Sequence, residues 1–300
     1  KYIKGAPEKI IQLRKDNFCI SLFTDNAGGI EFNKDWIICH KVETHNTPSA
    51  LDPFGGAITG IVGVNRDCLG FGKGAKPIAN TYAYYLADPN KNYQLYRQKN
   101  NKDPMLPANF IAKGIISGVR VGGNCSGIPT PQGNVYFDDQ FAGKPLVFCG
   151  TVGIIPKKIK GKLSHKKKAN PGDIILMAGG RVGKDGIHGA TFSSEELDPN
   201  SPVSAVQIGD PITQKKMSDV IIRELRDENL YSSITDNGAG GLSSSIGEMA
   251  KESGGFIVNL EKVPLKYNGL YPWEIWVSES QERMTLAVPP ANVKKVIKRF

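Results

Sequence analysis

The sequence contains no uninterrupted apolar run of about 18 residues or more, so we expect no membrane-spanning helix and no membrane partner. Cysteine is scarce, with five in 300 residues, and no two stand in C-x-x-C spacing. This argues against a zinc site and a disulfide framework and favours a reducing cytoplasm. A signal-peptide pattern is also absent. Because the sequence begins at Lys1 and not at a methionine, we expect a piece of a longer protein.

Acidic residues are outnumbered: 29 aspartates and glutamates stand against 38 lysines and arginines, a formal net charge of +9. Seven of the lysines lie between Lys157 and Lys168. Such a surplus is compatible with a basic nucleic-acid-binding module. The run lacks arginine and interleaved aromatic residues and lies between two strand-like segments, so we interpret it as a solvated loop and expect no nucleic-acid partner. Phosphorylated substrates are the other explanation of a positive field.

Composition and length predict a soluble α/β protein with two lobes. Hydrophobic residues make up 40% of the chain and charged residues 22%, with 34 glycines, and 300 residues suffice for two cores. Residues 1–35 predict a helix and two strands, and residues 106–121 predict a helix. Buried strands are expected at residues 36–39, 145–155 and 173–178. With the lysine run as the boundary, the lobes are residues 1–156 and 168–300.

Residues 41–50 bring several chemical groups together where a buried strand is expected to break into a loop. Side chains alternate along a strand, so Lys41, Glu43 and His45 can share one face. The lysine suits phosphate oxygens, the carboxylate suits a hard cation, and the imidazole can move a proton. The alternative is an ordinary surface ion pair between Lys41 and Glu43.

Three further stretches carry chemistry with open alternatives. The glycines at residues 55–60 indicate backbone held close to a ligand. Arg66 can clamp a phosphate, and Asp67 can join Glu43 on a metal. The alternative is an ordinary surface ion pair between Arg66 and Asp67. Residues 179–190 follow a strand and form a glycine-rich, basic turn. This turn either binds phosphate through its backbone N–H groups or is an ordinary tight loop. Asp236, before another glycine-rich turn and helix, is either a metal ligand or a cap.

Taken in order, residues 41–50, 55–67, 72–78, 179–190, 207–211, 236–242 and 278–283 resemble the formylglycinamide ribonucleotide amidotransferase (phosphoribosylformylglycinamidine synthase) family of the aminoimidazole ribonucleotide synthetase superfamily. The resemblance implies a two-lobed α/β (α+β) synthetase fold, truncated at both ends, with a barrel-forming N-terminal sheet lobe and a helix-covered C-terminal sheet lobe. It implies a ligase that uses ATP, Mg²⁺ and glutamine-derived ammonia to amidate formylglycinamide ribonucleotide in purine biosynthesis. Aminoimidazole ribonucleotide synthetase and selenophosphate synthetase are the alternatives within the superfamily.

The same resemblance assigns roles to individual residues. It implies Lys41 on ATP, His45 as general base, and Glu43, Asp67 and Asp236 on magnesium. The implied substrate-binding residues are Thr44, His45, Asn46, Thr47, Arg66, Gln207, Glu279, Ser280 and Gln281.

The chain also departs from the family pattern. Thr47 stands where the family usually has histidine, and nothing in residues 1–40 matches a further catalytic histidine motif. The expected partners are a second synthetase half and a glutaminase subunit or domain, so we expect the piece to be inactive alone.

Overall fold

The N-terminal lobe, which comprises the elements from α1 to β6, is an open sheet with helices packed on it. The structure is a computed structural model that describes residues 2–14, 17–94, 106–193 and 203–300. Within these residues the sheet has six strands in the order β1-β2-β3-β6-β4-β5. The elements in chain order are α1 (Gly5–Leu13), β1 (Cys19–Ser21), β2 (Gly28–Glu31), β3 (Trp36–Thr44), α2 (Asn46–Leu51), α3 (Pro53–Gly70), β4 (Lys76–Leu86), α4 (Ala108–Ser126), β5 (Gln132–Phe137) and β6 (Leu146–Pro156).

The strand that carries Lys41 and Glu43 is longer than predicted. We expected it to break into a loop after residue 39, but β3 pairs with β6 without interruption from Trp36 opposite Pro156 to Thr44 opposite Phe148. A helix, α2, follows directly instead of a loop. The pairing continues through the polar residues because Lys41 and Glu43, although on the same face as the buried Ile37 and Cys39, remain partly exposed near the end of the strand.

The glycine-rich stretch before Arg66 is a helix, so the expectation of backbone held close to a ligand was wrong for most of it. Asp52 accepts a hydrogen bond from the Gly55 N–H and Pro53 occupies the first turn, which starts α3. A Cβ at Gly56 would lie 2.6 Å from the Ser49 nitrogen. These glycines therefore bring protein segments, rather than ligand, close to the helix.

The C-terminal lobe, from β9 to α9, is a small antiparallel sheet with helices on both faces. Its strands follow the order β10-β11-β9. Met217 and Ile221 pack on one face, whereas Met249 packs beside Ala287 on the other. Before this lobe, β7 (Lys158–Ile159) and β8 (Lys162–Leu163) form a hairpin within the lysine run. The elements are β9 (Ile174–Gly179), α5 (Gly189–Phe192), α6 (Pro211–Val220) with a π-helical continuation (Ile221–Arg226), β10 (Ser233–Asp236), α7 (Gly241–Ser253), α8 (Pro272–Val277), β11 (Arg283–Val288) and α9 (Val293–Arg299).

Helix α3 joins the two lobes. Its residues Ala57, Ile61 and Val64 lie in the core of the N-terminal sheet. Leu69, near its end, packs in the core of the C-terminal lobe. Polar residues on α3 that face neither core are therefore directed to the space between the lobes.

The architecture confirms the predicted mixed α/β fold, and the N-terminal sheet is not a closed barrel. The helix predicted at residues 106–121 is α4 and runs on to Ser126. A surface excursion was expected at residues 88–103; residues 95–103 lie outside the described part of the chain. Within the described ranges, no helix combines the length and apolar character needed to cross a membrane.

Candidate active site

A cavity of about 790 Å³ opens between the two lobes, next to α3. The end of β3 contributes one wall, α3 contributes a second, and the end of β10 faces them from the C-terminal lobe. Most of the residues proposed from sequence meet here although they come from distant parts of the chain. The sequence-predicted residues that line the cavity are Lys41, Glu43, Thr44, His45, Arg66, Asp67, Gln207, Asp236 and Gln281.

Lys41 lies between two carboxylates. Its Nζ is 3.3 Å from Glu43 Oε1, as the alternation along β3 predicts, and 3.0 Å from Asp67 Oδ2 on the neighbouring helix. The helix approaches β3 closely at Gly63, where a Cβ would lie 3.3 Å from Glu43 Oε2. Burial acts to lower the pKa of Lys41, but the charges of Asp67 and Glu43 outweigh it, and the pKa is raised. The lysine is therefore a fixed cation in the cavity wall.

Asp67 and Asp236, from different lobes, are bridged by one amide group. Asn26 Nδ2 donates to Asp67 Oδ1 at 3.2 Å and to Asp236 Oδ1 at 2.9 Å. Burial raises the pKa of Asp67 to about 8, and the negative charges of Asp236 and Glu43 add to the effect. Asp236 does not cap α7, whose N-cap is Gly240. These two carboxylates converge as they would have to in order to share a cation.

These residues fit a magnesium ion. In the described part of the chain, no three Asp, Glu, His or Cys side chains are close enough to hold a metal by themselves. Mg²⁺, however, is usually held by one or two carboxylates together with substrate phosphates and water. Asp67 and Asp236 each direct an oxygen to Asn26 Nδ2, and Glu43 and Asp67 both contact Lys41 Nζ. Hard oxygen donors of this number suit Mg²⁺ on a polyphosphate.

Arg66 connects the acidic group to the other side of the cavity. Its Nε donates to Asp236 Oδ2 at 3.0 Å, and its Nη1 donates to Gln281 Oε1 at 2.6 Å. The surface ion pair with its neighbour, weighed from the sequence, is not observed: Arg66 is buried and pairs across the lobes with Asp236. The guanidinium is thus fixed beside the cavity, where its permanent positive charge can bind an anionic group.

His45 stands at the start of α2 with an unpaired imidazole nitrogen. Its Nδ1 is buried and has no hydrogen-bond partner in the described structure. Burial lowers the pKa of His45 to about 4. The backbone fixes its position, because its N–H donates to the Val147 carbonyl oxygen at 2.9 Å and its own carbonyl oxygen accepts from Ser49 Oγ. His45 lines the cavity, and a neutral imidazole can accept a proton.

Four predicted substrate-binding residues do not line the cavity, and the substrate contacts of all the predicted residues stay a prediction. Asn46 Oδ1 accepts from the Val147 N–H at 2.9 Å, and Thr47 Oγ1 donates to the Ser193 carbonyl oxygen at 2.9 Å. Ser280 Oγ donates to Asp185 Oδ1 at 2.7 Å. Glu279 is buried and accepts hydrogen bonds from two backbone N–H groups and from Gln207.

Glu279 accepts hydrogen bonds from backbone N–H groups of two glycine-rich turns, including the turn at residues 179–190 that was predicted as a possible phosphate site. It accepts from the backbone N–H of Ala190 at 3.0 Å and from that of Gly240 at 3.0 Å. Gln207 Nε2 donates to the same carboxylate. The glycine-rich turn at residues 179–190 is therefore organised by a protein carboxylate in this structure and not as an open phosphate cradle.

Sequence reasoning missed Lys167, which belongs to the lysine run interpreted as a solvated loop. Its Nζ is 2.6 Å from Asp25 Oδ1 and donates to the carbonyl oxygens of Gly70 at 2.6 Å and Ile234 at 2.9 Å. It also lines the cavity, as do Asp25 and Asn26. The only sequence signal at these positions was the turn composition of residues 25–29, which indicates a turn and not a site.

Replacing Lys167 with methionine is expected to lower the free energy of unfolding by about 3 kcal/mol, because Asp25 loses its cationic partner and keeps only the backbone N–H groups of Asn26 and Gly72. The Lys167 and Asp25 side chains are only 14% and 11% exposed. Chemical denaturation of the full-length chain measures the change. Lys168→Met is the matched control, since Lys168 is exposed and should change stability by less than about 0.5 kcal/mol. Equal effects of the two variants would contradict the assignment.

The buried carboxyl group of Glu282 is expected to make the free energy of unfolding depend on pH. Burial raises its pKa from 4.5 to about 7, against the opposing charge of Arg66. Because the folded state holds this proton more tightly than the unfolded state does, the stabilisation is complete below pH 4.5 and is lost as the pH rises through 7. The free energy of unfolding of Glu282→Gln should therefore rise by about 2 kcal/mol relative to that of the wild type when the pH is raised from about 5 to about 8. Unfolding at both pH values, with exposed Glu8→Gln as control, would detect the gain; parallel pH profiles would refute it.

Comparison with known proteins identifies relatives over nearly the whole chain. The model for the N-terminal domain of AIR synthase related protein matches residues 24–155, and the model for its C-terminal domain matches residues 170–300. The phosphoribosylformylglycinamidine synthase subunit PurL of Picrophilus torridus is 40% identical over 293 residues, which is 96% of this chain and 37% of that protein. The subunit PurL of Thermoplasma volcanium is 38% identical over 292 residues, with the same coverage of 96% and 37%.

Solved structures give the same result. T. maritima PurL complexed with FGAR has a TM-score of 0.78 at 32% identity over 94% of this chain and 42% of its own. T. maritima PurL complexed with ATP has a TM-score of 0.72 at 30% identity, covering 94% and 41%. PurLQS from Thermotoga maritima has a TM-score of 0.70 at 30% identity, covering 91% and 40%. The chain spans 37% of the length of the first two curated relatives. Both domain models match in order, and the chain therefore belongs to the AIR synthase related family.

Proposed function

We propose that the protein containing this chain is a ligase that converts formylglycinamide ribonucleotide to formylglycinamidine ribonucleotide in purine biosynthesis. It would consume ATP with Mg²⁺ and take ammonia derived from glutamine. The observation that carries the proposal is the convergence of Lys41, Glu43, Asp67 and Asp236 in one cavity with His45 and Arg66. The similarity to PurL proteins, including one complexed with FGAR and with ATP, supports the choice of substrates.

The acidic side of the cavity would bind the nucleotide phosphates. Lys41 would exchange its contacts with Glu43 and Asp67 for phosphate oxygens. Glu43, Asp67 and Asp236 would hold Mg²⁺, which when bound supplies neutralisation of the phosphate charge. The lysine would then be released from its present partners only when the metal and phosphates arrive together, which couples the two binding events.

The opposite side would bind the ribonucleotide. Arg66 and Gln281 are already joined by a hydrogen bond, and Gln207 is fixed by Glu279 and by Thr59 Oγ1, which donates to the Gln207 carbonyl oxygen at 2.7 Å. Thr44, Asn46, Thr47, Glu279 and Ser280 are proposed to complete the substrate site. Transfer of the ATP γ-phosphoryl group to the substrate amide oxygen would release ADP. Ammonia would then add to the amide carbon, phosphate would leave with that oxygen, and His45 would accept a proton from the attacking nitrogen.

We further propose an organisation in which residues 1–156 and 168–300 form the two lobes of the first synthetase half. A second half and a glutaminase would complete the enzyme; the similarity to a PurLQS structure supports a multi-component arrangement. The location would be the cytoplasm, where the five free cysteines would remain thiols.

The test is ATP hydrolysis by the full-length protein with ammonia and one of three acceptors. We expect ADP release and amidine formation with formylglycinamide ribonucleotide, and only background hydrolysis with formylglycinamidine ribonucleotide or selenide. Hydrolysis driven by the amidine would identify an aminoimidazole ribonucleotide synthetase, and hydrolysis driven by selenide a selenophosphate synthetase. Either result would refute the proposal.

A further inference from the structure

Asn26 occupies a position between the lobes that neither the sequence pattern nor the proposed substrate contacts explain. It lies in the turn between β1 and β2 of the N-terminal lobe, but its amide reaches Asp236 of the C-terminal lobe. The same Nδ2 atom also donates to Asp67 on α3. One uncharged side chain thus uses its two N–H bonds on two carboxylates that belong to different lobes.

The orientation of this amide is determined by its neighbours. Asn26 Oδ1 faces Lys167 Nζ at 3.3 Å and Thr235 Oγ1 at 3.4 Å. A lysine ammonium can only donate, so the amide oxygen must face Lys167, and the amide nitrogen is then left to face the two carboxyl groups. The amide is also confined, because a Cβ at Gly70 would lie 2.7 Å from Asn26 Cγ.

The two carboxylates are held from outside by cations. Asp67 Oδ2 is 3.0 Å from Lys41 Nζ, and Asp236 Oδ2 is 3.0 Å from Arg66 Nε. The remaining oxygen of each, Oδ1, is directed to Asn26. Mutual repulsion would otherwise separate two such groups in a partly buried site. The amide therefore holds the two carboxylates in fixed positions on either side of its own nitrogen.

We propose that Asn26 is a positioning residue that aligns Asp67 and Asp236 across the lobes for a shared divalent cation. This inference rests on the proposed function only in its choice of cation site, because it concerns metal binding and not turnover. Lys167 acts through Asn26 by fixing its amide. The alternative is a structural role, in which Asn26 joins the lobes with no effect on metal affinity.

The test measures Mn²⁺ binding to the full-length protein by electron paramagnetic resonance, with and without ATP, and unfolding temperature with and without Mn²⁺. Asn26→Ala should weaken Mn²⁺ binding by about tenfold. Asn26→Asp adds a carboxylate, so it should unfold at a lower temperature without metal and show a larger Mn²⁺-induced rise than the wild type. Asn124→Ala, at an exposed position on α4, is the matched control and should match the wild type.

A structural role alone would lower the unfolding temperature of Asn26→Ala and leave its Mn²⁺-induced rise unchanged. That pattern, or Mn²⁺ affinity of Asn26→Ala within twofold of the wild type, would overturn the inference. If Asn26→Ala does not fold, Asn26→Ser, which keeps a single short donor, takes its place in the same Mn²⁺ titration. The predicted Mn²⁺ pattern without amidine formation would leave the inference standing and refute the function; amidine formation without the Mn²⁺ pattern would do the reverse.

Discussion

Replacing Asp236 with asparagine is expected to lower formylglycinamide ribonucleotide-dependent ATP turnover of the full-length enzyme by about 100-fold or more. The substitution keeps the size of the side chain but removes the charge that faces Arg66 at 3.0 Å and that would bind Mg²⁺. It also replaces an acceptor with a donor opposite Asn26 or Arg66, so one of these contacts is lost. Steady-state ADP release at several Mg²⁺ concentrations measures the effect.

The loss should be accompanied by a higher Mg²⁺ requirement, because the variant lacks one of the proposed ligands. Asp139→Asn is the matched control: Asp139 pairs with Lys91 at the surface, with 61% of its side chain exposed, and its loss should leave turnover unchanged. Far-ultraviolet circular dichroism and an unfolding curve separate loss of chemistry from loss of fold. Turnover and Mg²⁺ dependence of Asp236→Asn within threefold of the wild type would remove Asp236 from the metal site.

The part of the site that lies on one strand could be predicted from the sequence. Alternation along β3 places Lys41 and Glu43 on one face, and their 3.3 Å contact agrees with that geometry. The same reasoning is local and could not pair Arg66 with Asp236, which are separated by 170 positions. That contact depends on how α3 crosses between the lobes, which periodicity does not specify. Arg66 and Asp236 were each proposed from their local sequence with an alternative left open, and the family resemblance then assigned their roles.

Lys167 and the glycines of α3 show why composition misled at two places. The composition of a lysine run does not reveal whether all of its side chains are in solvent or one of them is largely buried. Lys167 is only 14% exposed, because its Nζ pairs with Asp25 and donates to two carbonyl oxygens. Glycines usually lower helix propensity by about 1 kcal/mol each, which favoured a non-helical interpretation. At Gly60, a Cβ would lie 3.1 Å from that of His45. Tertiary packing therefore selects glycine inside the helix.

Replacing His45 with alanine is expected to lower ammonia-dependent amidine formation by about 100-fold or more if the imidazole is the general base. Burial lowers the pKa of His45 to about 4, so the ring is neutral at the pH at which the base must accept a proton. The neighbouring Lys41 and Asp67 are untouched by the change. ATP binding, measured by equilibrium titration, should therefore stay within about twofold of the wild type while the rate of amidine formation falls.

His40→Ala is the matched control, because His40 lies on the same strand but on its exposed side, opposite Val152 of β6. It should keep wild-type rates. A His45→Ala enzyme that forms the amidine at the wild-type rate would exclude the histidine as base and leave the proton to water or to a group outside this chain. Loss of ATP binding together with rate would instead indicate that His45 supports the cavity wall, since Gly60 of α3 packs directly against its Cβ.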